Sequence, residues 1–431
     1  MRVPIGFTVA LAALGFAAQV AAQSSGVVAV RAGRLFDPRS GRDLADQVVL
    51  ISGDRIADVG AASHVAIPAG AKVIDLSRAT VLPGLIDAHV HVMGGTSDLQ
   101  SQAIIGVANA QKDLRAGFTT LVDLGSHGGW FGTVDLRNAI DRGVIQGPRM
   151  QVAGPVLSIT PPGNNPFPLN FTPSSADLVA NGPEGMRAAV RELAHYGVNW
   201  VKLMGTGPFV FKPGGEMVNQ PLPSLEEFRA VVDEAHRRGL KVACHCYGDD
   251  GLHWALQVGV DAIQHAVDAD DSDIQVFLKK KLPLTSTILD MREDEPGDLK
   301  KFDPYSRFRL MEKTWKKMLA AGVTLGFGSG AAEGRIFSEA CKCSHGAQGE
   351  MFPIFVKWGA TPVYVLRMAT TVNAEIIGMQ DSLGAVEKGK FADIIAVAGD
   401  PLTDITEMQR VHFVMKGGEV VRNDFAQRRQ N

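Results

Sequence analysis

The hydrophobic pattern of the chain changes character twice. Near the start, apolar positions come in short runs at 27–30, 46–51 and 55–59, cut by turn residues, with Gly53-Asp54 as a hairpin signal between the last two. Similar strand-like runs return at 389–397 and 412–421. Two β segments flanking a long middle predict a small β-sandwich domain built from both termini.

The middle alternates instead. Strand-like apolar runs lie at 85–92, 119–124, 150–153, 200–204, 241–246, 262–265, 284–288 and 323–327, most of them separated by helical spacing. The run 85–91 is apolar enough to be buried on both faces, and Pro83-Gly84 punctuates its start. Ser224-Leu225-Glu226-Glu227 is a capping box, followed by Phe228, Val231, Val232 and Ala235 at helical intervals and closed by Gly239. Eight strands alternating with helices over this length predict an α/β fold, a (β/α)8 TIM barrel. A doubly wound open sheet is the alternative, but no GxGxxG opens a helix after the first strand. The implied divisions are a leader at 1–22, the first part of the sandwich at 23–82, the barrel at 83–380 and the second part of the sandwich at 381–431.

Charge changes the picture little. Forty-three basic and 46 acidic residues leave a formal net charge of −3, so no basic face suits nucleic acid and no acidic run makes a tail. The first residues matter more. Arg2, an apolar stretch over 5–20 and the small residues Val20-Ala21-Ala22 read as a secretory leader cleaved before Gln23. The stretch is short for a membrane span of ~20 residues. Export to a periplasm, or secretion, is the expectation, with no membrane attachment after cleavage. An oxidising compartment permits disulfides among Cys244, Cys246, Cys341 and Cys343. Neighbours two apart in a strand do not bridge readily, so any bond would join one pair to the other. A CxC thiolate metal site is the weaker reading.

In a barrel, chemistry sits at the C-terminal ends of the strands. The first strand ends in His89 and His91, whose imidazoles share one side because strands repeat every two residues. Two neutral imidazoles there make half of a metal site. Lys202 interrupts the apolar run Trp200-Val201-Lys202-Leu203-Met204, where it is either a snorkelling strand-end lysine or an amine beside a dication. His245 and His265 close the fifth and sixth strands. Each alone could be a core histidine; at successive strand ends they look like ligands of a second metal.

These residues together resemble the amidohydrolase superfamily. The matching phrases are PGLIDAHVH at 83–91, VKLM at 201–204, CHCYGDDG at 244–251, DAIQHA at 261–266 and GAVEKGKFADIIAV at 384–397. The branch is similar to the imidazolonepropionase-like group, which includes periplasmic dipeptidases of carboxypeptidase-like specificity and ochratoxin-hydrolysing amidases. The resemblance implies two divalent metal ions, zinc by family habit. One would be held by His89 and His91, the other by His245 and His265, with a carbamate on Lys202 bridging them. It implies a metal-dependent amidohydrolase acting on dipeptides or N-acyl amino acids with a free carboxylate, ochratoxin-type amides included. Lys202 and His265 belong to the implied catalytic set. Tyr247 and His345 are the implied substrate contacts. The partner is a small-molecule substrate, and a homo-oligomer is expected.

Two departures qualify the resemblance. The family places an aspartate at the end of strand eight, in a phrase such as GSDA, and here Gly330 stands in Phe327-Gly328-Ser329-Gly330-Ala331. Another acid could substitute, with Glu333 and Glu339 in the following segment as candidates and Glu333 assigned to the catalytic set. Altered metal occupancy and an inactive, merely binding homologue are the other readings. After strand three, Ser158-Ile159-Thr160-Pro161-Pro162-Gly163-Asn164 stands where relatives carry TGGH, so a substrate-contacting histidine is lacking. His127 reads as solvated, and His64, His195, His236, His253 and His412 as structural or exposed.

Overall fold

The computed structural model describes residues 26–94, 98–160, 178–211, 217–288, 304–332 and 344–427. Eight parallel strands follow one another around a ring: Leu85–His91, Phe118–Asp123, Arg149–Val152, Trp200–Met204, Lys241–Gly248, Ala262–Asp268, Leu284–Ser286 and Leu325–Phe327. They are barrel strands one to eight below, and each of the eight apolar runs became one of them. Ladders join strands one to three and strands four to eight. Asn199 bridges strands three and four, its N–H donating to the Val152 carbonyl (2.8 Å) and its Oδ1 accepting from Val152 N–H (3.0 Å). Strand eight returns to strand one through Gly330 N–H donating to the His89 carbonyl (2.7 Å) and through the pairing of Ala331 and Ala332 with Val90 and His91.

The helix Leu225–Arg237 forms as its sequence predicts. Ser224 Oγ accepts from Glu227 N–H, Glu227 Oε2 accepts from Ser224 N–H, and Phe228, Val231, Val232 and Ala235 are buried. The barrel lumen is filled by Ile86, Ala88, Val122, Leu124, Trp200, Ala243 and Ala262, and is plugged by Ala374, Ile376, Ile377 and Leu383. A lumen packed with apolar groups leaves the polar strand ends as the place where chemistry can gather.

The termini share one seven-stranded sheet, ordered 419–423, 413–416, 394–397, 72–83, 28–37, 42–52, 55–61. Its centre is the strand Lys72–Pro83, antiparallel to Ile394–Val397. Sequence reading missed this strand because its apolar end, 79–83, runs straight into the run of barrel strand one. Gly84 is the joint. A Cβ there would lie 2.2 Å from Thr119 Oγ1, so only glycine lets the chain pass from sheet to barrel.

Asn373 locks the closure from below. Its Nδ2 donates to the carbonyls of Ile86 and Phe327, each at 2.7 Å, and its Oδ1 accepts from Phe327 N–H at 3.1 Å. One fully buried amide therefore ties strand one to strand eight. Asn373→Ala should leave two carbonyls and one N–H unpaired in the core, at a cost of about 2–4 kcal/mol. Denaturant unfolding checks this; a midpoint equal to wild type would show that the amide is dispensable.

Candidate metal centre

His89 and His91 end a strand buried at every position. Their Nε2 atoms stand 3.1 Å apart. His91 Nδ1 lies 2.9 Å from the Gly125 carbonyl, which can only accept, so Nδ1 carries the proton and the lone pair of the neutral ring sits on Nε2. Two carboxylates hold the strand end. Asp87 Oδ1 accepts from His89 N–H (3.1 Å) and from Ser329 N–H (2.9 Å), linking strand one to strand eight. Asp123 accepts from Val92 N–H (2.8 Å) and Gly125 N–H (3.2 Å). Burial pushes each of these carboxyls up to about 7, against those hydrogen bonds.

Lys202 Nζ lies 3.4 Å from His89 Nε2, and the residue is buried. Burial pulls the ammonium down to about 7, against the opposing pull of Cys244, Cys246 and Asp123. His89 is held well below the ordinary histidine range, first by burial and then by Lys202; His91 likewise, first by burial and then by His127. Three nitrogens thus converge with their neutral, lone-pair-bearing forms favoured.

The second pair continues the row. Ring centroids run from His91 to His89 at 5.0 Å, on to His265 at 5.1 Å and then to His245 at 4.6 Å. His265 Nδ1 meets Thr287 Oγ1 at 2.5 Å, a contact that orients the imidazole from strand seven. His265 and Ala266 have φ of 75° and 43°, a left-handed kink that turns the strand at this histidine. Tyr247 lies 4.6 Å from the His245 ring and 5.4 Å from the His265 ring, on the side expected of a residue two beyond His245.

His345 is buried, and both its nitrogens face protein oxygens: Nδ1 is 2.8 Å from Asp113 Oδ2, and Nε2 is 3.1 Å from the His91 carbonyl. It clamps the backbone of a site histidine to the helix Leu99–Arg115. His127 corrects an expectation. It is only part-exposed, and its ring packs 4.1 Å from that of His91, with φ of 41° turning it inward; burial lowers it to about 4. Asp87, Asp123 and Thr287 carry no role in the sequence reading. Asp87 shares the period-two face of His89 and His91, and that spacing was the available signal.

Gly330 has φ of 64°, and its N–H is tied to His89. Glu333, Glu339, Cys341, Cys343 and 161–164 lie outside the described residues. Cys244 and Cys246 are free thiols, buried, with Sγ atoms 2.8 Å apart.

Residues 80–421 match the family model described as "Amidohydrolase family". Ochratoxinase of Aspergillus niger is 26% identical over 434 residues, covering 91% of this chain and 86% of that protein. Among solved structures, a Xaa-Pro dipeptidase with methionine bound in its active site superposes with a TM-score of 0.80 at 27% identity, covering 92% of this chain and 100% of that one. A prolidase complexed with N-methylphosphonate-L-proline gives 0.77 at 28% identity over the same shares. With the family model matched over most of its length and hydrolases among its relatives, this chain belongs to the amidohydrolase family and is a hydrolytic enzyme.

Proposed function

We propose that the chain is a metal-dependent amidase that cleaves dipeptides or N-acyl amino acids bearing a free carboxylate. The observation that carries this reading is Lys202: a buried amine, 3.4 Å from His89 Nε2, on the strand between the two histidine pairs. The donor set fits a pair of divalent cations. His89 and His91 turn their Nε2 atoms toward each other at 3.1 Å, and at least His91, with Nδ1–H committed to Gly125, has only a lone pair to offer there. In the metal-free chain His89 Nε2–H can donate to that lone pair, and with the His89 proton on Nδ1 both nitrogens offer lone pairs to a cation.

In this reading His89 and His91 would hold one ion, and His245 and His265 would hold the other. The neutral Lys202 amine would attack CO₂, an N–C bond forming as one C=O π bond opens and the amine loses a proton, and the resulting carbamate would supply oxygen ligands to the metals. Bound divalent metals supply a water acidified to a pKa of ~7 and a polarised scissile carbonyl. Asp123 and His345 keep the backbone around His91 in place. The Tyr247 hydroxyl reaches substrate beside His265. Glu333, in the segment after Gly330, takes over the proton-accepting work of the missing aspartate. Relatives that include a Xaa-Pro dipeptidase and ochratoxinase support an amide flanking a carboxylate as the substrate class. The leader-like first 22 residues support export.

Gly330 favours a second reading, a homologue that binds metal and small molecules without turnover. Loss of a general base should reduce rate by about 10²–10⁴-fold. Zinc-loaded native chain assayed on a dipeptide and N-acyl amino acid library separates the two. Turnover supports the amidase. No turnover from the native chain, with turnover from Gly330→Asp, supports the binder, although an aspartate at φ of 64° carries a strain of ~1 kcal/mol.

Lys202→Ala should lose the second ion and lower kcat/KM by at least about 10³-fold, with short carboxylic acids restoring part of both. Metal analysis that finds as many ions per chain as in wild type, with normal turnover, would reduce Lys202 to a strand-end lysine.

The same residue should cost stability when no metal is bound. Its folded value, about 7, lies below the ordinary 10.5, so between those pH values the unfolded chain binds more protons than the folded one, and stability rises with pH. The penalty is fully present below about 7 and fades toward 10.5. Metal-free Lys202→Met should therefore melt higher than metal-free wild type near neutrality, by at least about 3 °C. That gap should close as the medium becomes alkaline. A gap that is constant with pH, or of opposite sign, would contradict the buried amine.

A further inference from the structure

We infer a separate divalent-cation site made by His253, Asp270 and Asp273, between the helices Asp249–Val258 and Asp271–Lys280. His253 Nε2 lies 3.1 Å from Asp273 Oδ1 and 3.4 Å from Asp270 Oδ2, and the three atoms all lie within 4.8 Å of one another. Each carboxylate has its other oxygen occupied. Asp270 Oδ1 accepts from Asp273 N–H and Ser272 Oγ–H, and Asp273 Oδ2 accepts from Asp270 N–H, closing a reciprocal cap on the second helix. The cap thus fixes both aspartates and leaves one oxygen of each turned to the imidazole.

A bare acidic cluster would mean little. Asp273 adds an independent observation: its side chain is 2% exposed, and its Oδ1 has no hydrogen-bond partner. His253 Nε2, at 3.1 Å, also makes no hydrogen bond, so the contact is a close approach without donor geometry. A buried carboxylate oxygen with no hydrogen bond, and only that imidazole beside it, is costly. Ligands at ~2.05 Å around a tetrahedral ion stand about 3.3 Å apart, and the two nitrogen–oxygen separations here, 3.1 and 3.4 Å, bracket that value. One imidazole with two carboxylates suits zinc and similar borderline dications, whereas calcium takes six to eight oxygens. Burial pushes the Asp273 carboxyl up to about 6, with the nearby carboxylates of Asp270 and Asp249 adding to it against a backbone hydrogen bond and His253. A dication relieves that crowding.

The site has a structural consequence. The two helices follow barrel strands five and six, which carry His245 and His265. An ion here staples the segments behind that pair without touching it.

The test compares full-length wild type with His253→Gln and Asp270→Ser, since serine keeps the helix cap but removes the outward oxygen. Each is dialysed to equilibrium against the same buffered micromolar Zn²⁺ and analysed for zinc per chain. Both variants should hold one ion fewer than wild type, and the zinc-dependent rise in melting temperature should shrink in both. The readout is a difference from wild type, so it stands whether or not the His89–His265 centre is loaded. Equal zinc in all three proteins would overturn the proposal and leave His253 as an ion-pair partner only.

Discussion

A buried lysine that must stay uncharged is the constraint on which the site depends. Lys202 sits on the fourth barrel strand, walled by apolar packing below and histidines beside it. Water is excluded, so its ammonium loses solvation, and the imidazoles around it cannot take up a proton without adding charge to charge. The outcome is a cluster rich in lone pairs and poor in protons. Such a cluster is a liability for stability and an asset for holding cations, a trade common at functional sites.

The scaffold exists to keep that cluster in register. Asp87 ties His89 to strand eight, Asp123 ties the end of strand one to strand two, and His345 ties the His91 carbonyl to Asp113. Asn373 does the same from the other end of the barrel. Strand one, which carries two of the five candidate ligands, is therefore pinned at both ends by side chains from other elements. Thr287 and the kink at His265 fix the second pair in a comparable way.

Much of this was legible from the chain. Continuous apolar runs marked all eight barrel strands, because strands buried on both faces need no polar alternation. Period two placed His89 and His91 together, and strand-end position brought Lys202, His245 and His265 to them. The misses have physical causes. Strand 72–83 was hidden by its merger with barrel strand one at Gly84. His127 looked solvated because a glycine-flanked histidine after a strand carries no periodic signal, and only its positive φ turns it onto His91. The clamp made by His345 was hidden because its two partners, Asp113 and the His91 carbonyl, lie 232 and 254 residues away. No local pattern reports such distances.

Gly330 gives the strand-eight end a different job from the one its relatives suggest. Its left-handed backbone lets its N–H reach the His89 carbonyl, so it serves closure of the ring where a carboxylate would serve proton transfer. The central proposal nonetheless concerns the donor residues that are present. Anomalous diffraction at the zinc edge, on crystals grown with zinc and bicarbonate, tests it directly. The account predicts one peak on the Nε2 atoms of His89 and His91, a second between His245 and His265, and density extending beyond Lys202 Nζ to both. A bare Lys202 amine with no peak beside His89 would contradict it.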